Sequence, residues 1–173
     1  MKTPLAIALL LALLLALAAP SFAGTGGWAA ARLEGAMSAY HTGDYRTARR
    51  GFQRLAEHGS AIAETMLGVM YAKGRGVREN HAVAAGWFHR AASRGYGPAQ
   101  IALSDAFARG HGVGRDTGGA YFWALAATIG GDRSAEASGR VRLKALGKFL
   151  SPEDRAEIGE DVHNWRPRAQ RQR

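Results

Sequence analysis

One segment of the chain occurs twice at an offset of 36 residues, and that offset decides most of what the chain can fold into. Laid against Tyr96–Gly131, the segment Ser60–Gly95 pairs Ala63 with Ala99, Leu67 with Leu103, Ala84 with Ala120 and Trp87 with Trp123. The same register pairs Gly74-x-Gly76-Val77 with Gly110-x-Gly112-Val113, Ala91 with Ala127 and Gly95 with Gly131. A period of this length holding two helical runs signals a helical solenoid, whose units cannot bury their apolar faces alone and must stack.

From Ala63 to Gly95 the unit is A-x-x-x-L-G-x-x-Y-x-x-G-x-G-V-x-x-N-x-x-x-A-x-x-W-x-x-x-A-A-x-x-G, which resembles the Sel1-like repeat, a relative of the tetratricopeptide repeat. The second copy departs from it at Ser104 for Gly68, Phe107 for Tyr71 and Thr128 for Ala92. The resemblance implies an all-α, right-handed α-α superhelix.

Ala63, Leu67 and Tyr71 recur every four residues with Gly68 beside them, which predicts a first helix, A, over about Ile62–Lys73. Gly68 lets the partner helix approach closely. Gly74 and Gly110 are expected in the left-handed conformation that ends a helix, with Val77 turned inward. Asn80, matched by Asp116, stands where the second helix, B, needs a cap. Helix B carries Ala84, Trp87, Phe88, Ala91 and Ala92, and Trp87 is expected to fill the space between repeats.

Residues 24–59 read as a shorter, tetratricopeptide-like hairpin: Tyr40, a tight Gly43-Asp44 turn, then Ala48, Phe52, Leu55, Ala56 and Gly59. It lacks the Gly-x-Gly-Val turn and has Gly51 where Trp87 would align. After the repeats at 60–95 and 96–131, residues 132–165 are expected to form a C-terminal pair of capping helices. Its first helix presents Leu143, Leu146 and Leu150 with Val141 nearby, and its second starts at Ser151-Pro152-Glu153-Asp154. Residues 166–173 form a basic tail containing Arg166, Arg168, Arg171 and Arg173, expected to be disordered.

Residues 1–23 have the pattern of a cleaved export leader: Lys2, the apolar run Leu5–Ala19, the breaker Pro20, then Ser21-Phe22-Ala23. Cleavage is expected after Ala23, giving a periplasmic or secreted protein with no transmembrane segment. The chain has no cysteine, so neither a lipid anchor nor disulfides are available and stability must come from contacts between repeats. Its formal net charge is +9. Nucleic acid is excluded as a partner because no recognition motif interleaves with the basic residues.

The search for chemistry finds little. The histidines, His41, His58, His81, His89, His111 and His163, are not paired at metal-site spacings, so no metal is expected. No Ser-x-x-Lys or Gly-x-Ser-x-Gly occurs, and Gly110-His111-Gly112-Val113-Gly114 lacks the spacing of a phosphate loop. The aromatic residues Trp87, Trp123, Phe88 and Phe122 read as core, with Tyr121 more exposed. The resemblance brings in a rival reading, cell-wall or β-lactam chemistry, but that activity belongs to a cysteine-rich branch and no residue here could carry it. The chain reads as a non-enzyme without cofactors.

What remains is a groove. On helix A, Thr65, Val69 and Lys73 form a second line rotated away from the buried stripe, matched by Ile101, Asp105 and Arg109. In the short hairpin the matching residues are Glu34, Ser38 and Thr42, with His41 adjacent. The resemblance places this line on the concave surface that binds a protein or peptide partner. The arginine-rich terminus offers a second mode, attachment to an anionic envelope surface.

Overall fold

Eight α-helices and one 3-10 turn make up the computed structural model, which describes residues 27–165 and Pro167. They are α1 (Gly27–His41), α2 (Tyr45–Glu57), α3 (Ala61–Lys73), α4 (His81–Ala92), α5 (Gly97–Arg109), α6 (Thr117–Ile129), α7 (Arg133–Leu146) and α8 (Pro152–Asn164), with the 3-10 turn at Gly147–Phe149. No strand occurs among the described residues. The leader at 1–23 and the arginines Arg166, Arg168, Arg171 and Arg173 lie outside them.

Side-chain caps start α2, α3, α4, α7 and α8. Asp44 Oδ1 accepts the Thr47 amide at 3.1 Å, Ser60 Oγ that of Ala63 at 3.3 Å and Asn80 Oδ1 that of Val83 at 3.0 Å. Ser151 and Asp154 close a reciprocal capping box. Asp116 departs from expectation: it occupies the cap position of α6, but its side chain makes no capping hydrogen bond. Gly74 and Gly110 end α3 and α5 with φ of 63° and 73°, as the turn motif predicts.

The second glycine of each turn has a different task. Gly76 and Gly112 also have positive φ. A Cβ on Gly76 would run into Tyr45 Cβ, and one on Gly112 into the His81 carbonyl. Tyr45 and His81 are the first residues of α2 and α4. Each turn is therefore laid across the start of the preceding B helix, and only glycine permits that contact.

Within a repeat the two helices meet at a small residue. A Cβ on Gly68 would sit 2.5 Å from the Phe88 ring, so α3 and α4 close around a buried phenylalanine. Burial of a side chain of this kind contributes about 1.5–3 kcal/mol. Trp87 does pack where the first hairpin meets the first repeat, but less completely than the sequence suggests. It is half-buried against the first cluster, around Phe52, Leu67 and Met70, and carries Arg90 over its ring at 4.5 Å. Its counterpart Trp123 is buried, enclosed by Phe122, His89 and Trp165.

The repeat register runs one helix beyond Gly131. Gly59, Gly95 and Gly131 have φ of 80°, 88° and 80°, the N-caps Ser60, Tyr96 and Asp132 follow them, and Ala63, Ala99 and Ala135 are all buried. Helix α7 thus takes the place of a third A helix, packed on α5 and α6. It does so through the small residues Ala135 and Gly139, not through an aliphatic stripe; Val141, expected near the covering face, is 69% exposed. Helix α8 does not close a hairpin with α7 but lies against α6, inserting Ile158 and Val162 into a second cluster, around Phe88, Leu103 and Trp123.

Candidate functional site

The A helices α3 and α5 carry the predicted line, and α7 extends it. At the same offset of 36 residues, Ala137, Val141 and Ala145 follow Ile101, Asp105 and Arg109. All three are exposed, so the A-helix face has an apolar third row that the sequence reading did not include.

The ten predicted residues fall into different situations. Glu34, Ser38, His41 and Thr42 are exposed on α1 and beyond its end, and Thr42 Oγ1 turns back to the Ser38 and Ala39 carbonyls at 3.1 and 3.2 Å. Thr65 likewise donates to the Ala61 carbonyl at 2.7 Å. Val69 is half-buried and packs against both clusters, so it belongs to the core as much as to the face. Ile101 is half-buried. Lys73, Asp105 and Arg109 are brought together around one pocket.

This pocket, of about 210 Å³, lies at the junction of the two repeats. Its lining includes Ala84, Ala85 and Phe88 from α4 and Ala102 and Ala106 from α5. Lys73, Arg109, Asp105, His81 and His111 supply its polar groups. Alanine forms most of the apolar lining because each helix must pass close to its neighbour there, and the same small side chains leave the space open.

Asp105 is not a free carboxylate. Arg142 of α7 donates to both its oxygens, Nε to Oδ1 at 2.8 Å and Nη2 to Oδ2 at 2.7 Å. Donation to Asp105 holds the Arg142 pKa above its ordinary value. With Asp105 neutralised, Lys73 and Arg109 set the sign of the pocket, and neither has an ion-pair partner among the described residues.

Sequence reasoning missed Arg142, His81 and His111. The two imidazoles stack with centroids 4.9 Å apart, and Glu79 lies 3.2 Å from His81 Nε2. A signal was available in the turn: Arg75 and His111 occupy the same place in the two Gly-x-Gly motifs, and both reach back onto the preceding hairpin. Arg75 donates to the Tyr40 hydroxyl at 2.7 Å and lies over the Tyr40 and Tyr45 rings.

A buried carboxylate was also missed. Glu64 is fully buried on α3, with Arg94 Nε 3.3 Å from Oε2 and Arg90 Nη2 3.1 Å from Oε1. Arg90 reaches Oε1 by charge without a well-directed hydrogen bond. At the matching place in α5 stands Gln100, equally buried, whose Nε2 donates to the Ala92 carbonyl at 3.4 Å. Both side chains pin helix A to the end of α4, which gives them a structural role. Among the described residues, no three His, Asp or Glu side chains stand close enough to hold a metal ion, and no helix is long and apolar enough to cross a membrane.

A family model described as "Sel1 repeat" matches residues 61–96 and 97–132. The chain carries two Sel1 repeats. Solved structures agree on the fold. The protective antigen c5321 of uropathogenic Escherichia coli strains, which displays an SLR fold, superposes with a TM-score of 0.70 at 24% identity, covering 84% of this chain and 32% of that one. A Sel1 repeat protein from Oxalobacter formigenes superposes with a TM-score of 0.54 at 30% identity, covering 68% of this chain and 48% of that one. The chain therefore spans a third to a half of the length of these relatives. Among curated proteins nothing matches it. Sel1 repeats form helical scaffolds suited to protein–protein contact.

Proposed function

We propose that this Sel1-repeat chain is an exported scaffold of the bacterial envelope that holds a protein partner on its A-helix face. The pocket between the two repeats carries the reading: an apolar lining large enough for one side chain, bordered by Lys73 and Arg109, with its acid already neutralised by Arg142. Such a surface favours a partner segment that places an acidic residue beside an aliphatic one. Export is supported by Lys2, the run Leu5–Ala19 and the small-residue site at Ser21-Phe22-Ala23.

Photo-crosslinking from position 101 or 137 on the A-helix face in intact cells tests the scaffold. A single protein captured from both positions, and lost when Lys73 and Arg109 are both replaced by alanine, is the expected result. Capture that is unchanged in that double variant overturns the groove. N-terminal sequencing of the protein recovered from the envelope fraction tests export, with Gly24 expected as the first residue.

A further inference from the structure

A second surface lies at the other end of the stack. Arg32 of α1 and Arg50 and Arg54 of α2 line an open cleft of about 500 Å³, together with Thr47, Gly35, Ala36 and Gly51. The cleft exists because of Gly51. At the same place in the next two B helices stand Trp87 and Trp123, whereas a Cβ on Gly51 would already lie 2.7 Å from Ala36 Cβ. Two helices that meet at a glycine and an alanine leave a floor with almost no side chain on it.

No carboxylate closes on the three guanidinium groups. None forms an ion pair with any Asp or Glu among the described residues. The segments 1–26 and 166–173 contain no Asp or Glu, so no carboxylate side chain elsewhere in the chain can supply one. The repeat register shows what is missing. Arg54 matches Arg90, whose partner is the buried Glu64, but the place matching Glu64 in α1 is held by Leu33. Asp44, whose carboxylate feels the charge of Arg50, is engaged in capping α2.

From this juxtaposition we propose that the α1–α2 cleft binds a phosphoryl group through Arg32, Arg50 and Arg54. Each guanidinium offers donors in a planar fork, and one carboxylate saturates one fork. Three forks around a floor without side chains match an oxyanion with three terminal oxygens and up to two charges. The volume exceeds that of phosphate itself, so the ligand carries the phosphoryl group on a larger body, as a soluble phosphate ester or a phospholipid headgroup. This site is independent of the A-helix pocket, which lies between α3, α4 and α5.

Calorimetric titration of the purified protein with inorganic pyrophosphate in 0.15 M salt tests the site. Saturable one-to-one binding is expected, weakened at least tenfold in the variant Arg50→Ala/Arg54→Ala. Both side chains are exposed, so that variant should keep its helical circular dichroism. The control Arg115→Ala/Arg133→Ala removes two other exposed arginines and should bind as the parent does. Equal weakening in the control would show a response to net charge alone and overturn the proposal, as would no saturable binding. Co-sedimentation with vesicles containing phosphatidic acid, whose phosphate is a monoester, but not with phosphatidylcholine vesicles, that is lost in the cleft variant supports a headgroup. Pyrophosphate binding without vesicle binding supports a soluble ester. A polyglutamate peptide that binds the cleft while pyrophosphate fails to compete identifies an acidic protein as the occupant and overturns the phosphoryl assignment.

Discussion

Arg142 holds Asp105 through two parallel hydrogen bonds, and in doing so ties α7 to α5 across 37 residues of sequence. Because both side chains keep partial contact with water, the pair contributes modestly, about 1 kcal/mol. A double-mutant cycle with Asp105→Ala and Arg142→Ala should return a coupling energy of that size in urea unfolding. A coupling of zero would free Asp105 to meet a partner directly.

Two of the three glycines of the second turn should behave differently. Gly112→Ala combines a left-handed backbone with a Cβ driven into the His81 carbonyl, and should cost roughly 3 kcal/mol. Gly114→Ala meets nothing within 4 Å and should stay within about 0.5 kcal/mol of the parent. Thermal melts of the two variants provide the comparison.

Phe88, not Trp87, is the aromatic residue on which the first repeat closes. Phe88→Ala should destabilise by about 3–5 kcal/mol, and Trp87→Ala by roughly half as much because part of its ring already faces solvent. Equal losses would show that the neighbouring arginine shields Trp87 more fully than its exposure implies.

Glu64→Ala strands two arginines beside a buried gap and should cost roughly 3 kcal/mol. Glu64→Gln should cost less, since Gln100 fills the matching site in the second repeat by donating to a carbonyl. Denaturant midpoints of the two variants decide the order.

The acid limb of stability should contain a contribution from Asp44. The side chain and amide of Thr47 hold its carboxylate, and Arg50 and Arg46 add a favourable field, so its pKa is lowered from 3.8. A lowered folded-state pKa means that the contribution is complete above the unfolded value and is lost as pH falls through the folded one. The melting-temperature gap between the parent and Asp44→Asn should therefore be constant from pH 6 to 8 and shrink below about pH 4.

Much of the fold was legible because its determinants are local. Leu67, Gly74, Asn80 and their counterparts act within a few residues of themselves, and period and turn chemistry reveal them. The third A helix escaped notice because its packing residues are Ala135 and Gly139, and such small side chains leave no apolar stripe at the place of Leu67 and Leu103. The burial of Trp87 was overestimated because pairing it with Trp123 conceals that their neighbours differ: Trp123 is enclosed by Trp165 from beyond the repeats. In the groove, Lys73, Asp105 and Arg109 followed from helical spacing. Their companions Arg142, His81 and His111 come from other elements, and no spacing along one helix could have announced them.

The return of α8 over α6 has a consequence for how the molecule comes apart. Trp165 packs on Trp123, and Pro167 then lies against Gly95, where a Cβ would be only 3.1 Å from its ring. The strap runs back past the whole second repeat to the joint before it. In a simple linear stack each unit touches only its neighbours and can fray singly from either end. Here α6 cannot separate from its surroundings until the strap is released, so the second repeat and the last helices open together as one block. Order in this solenoid should therefore be lost from the α1–α2 end first, and hydrogen exchange should find the amides of α6 the slowest.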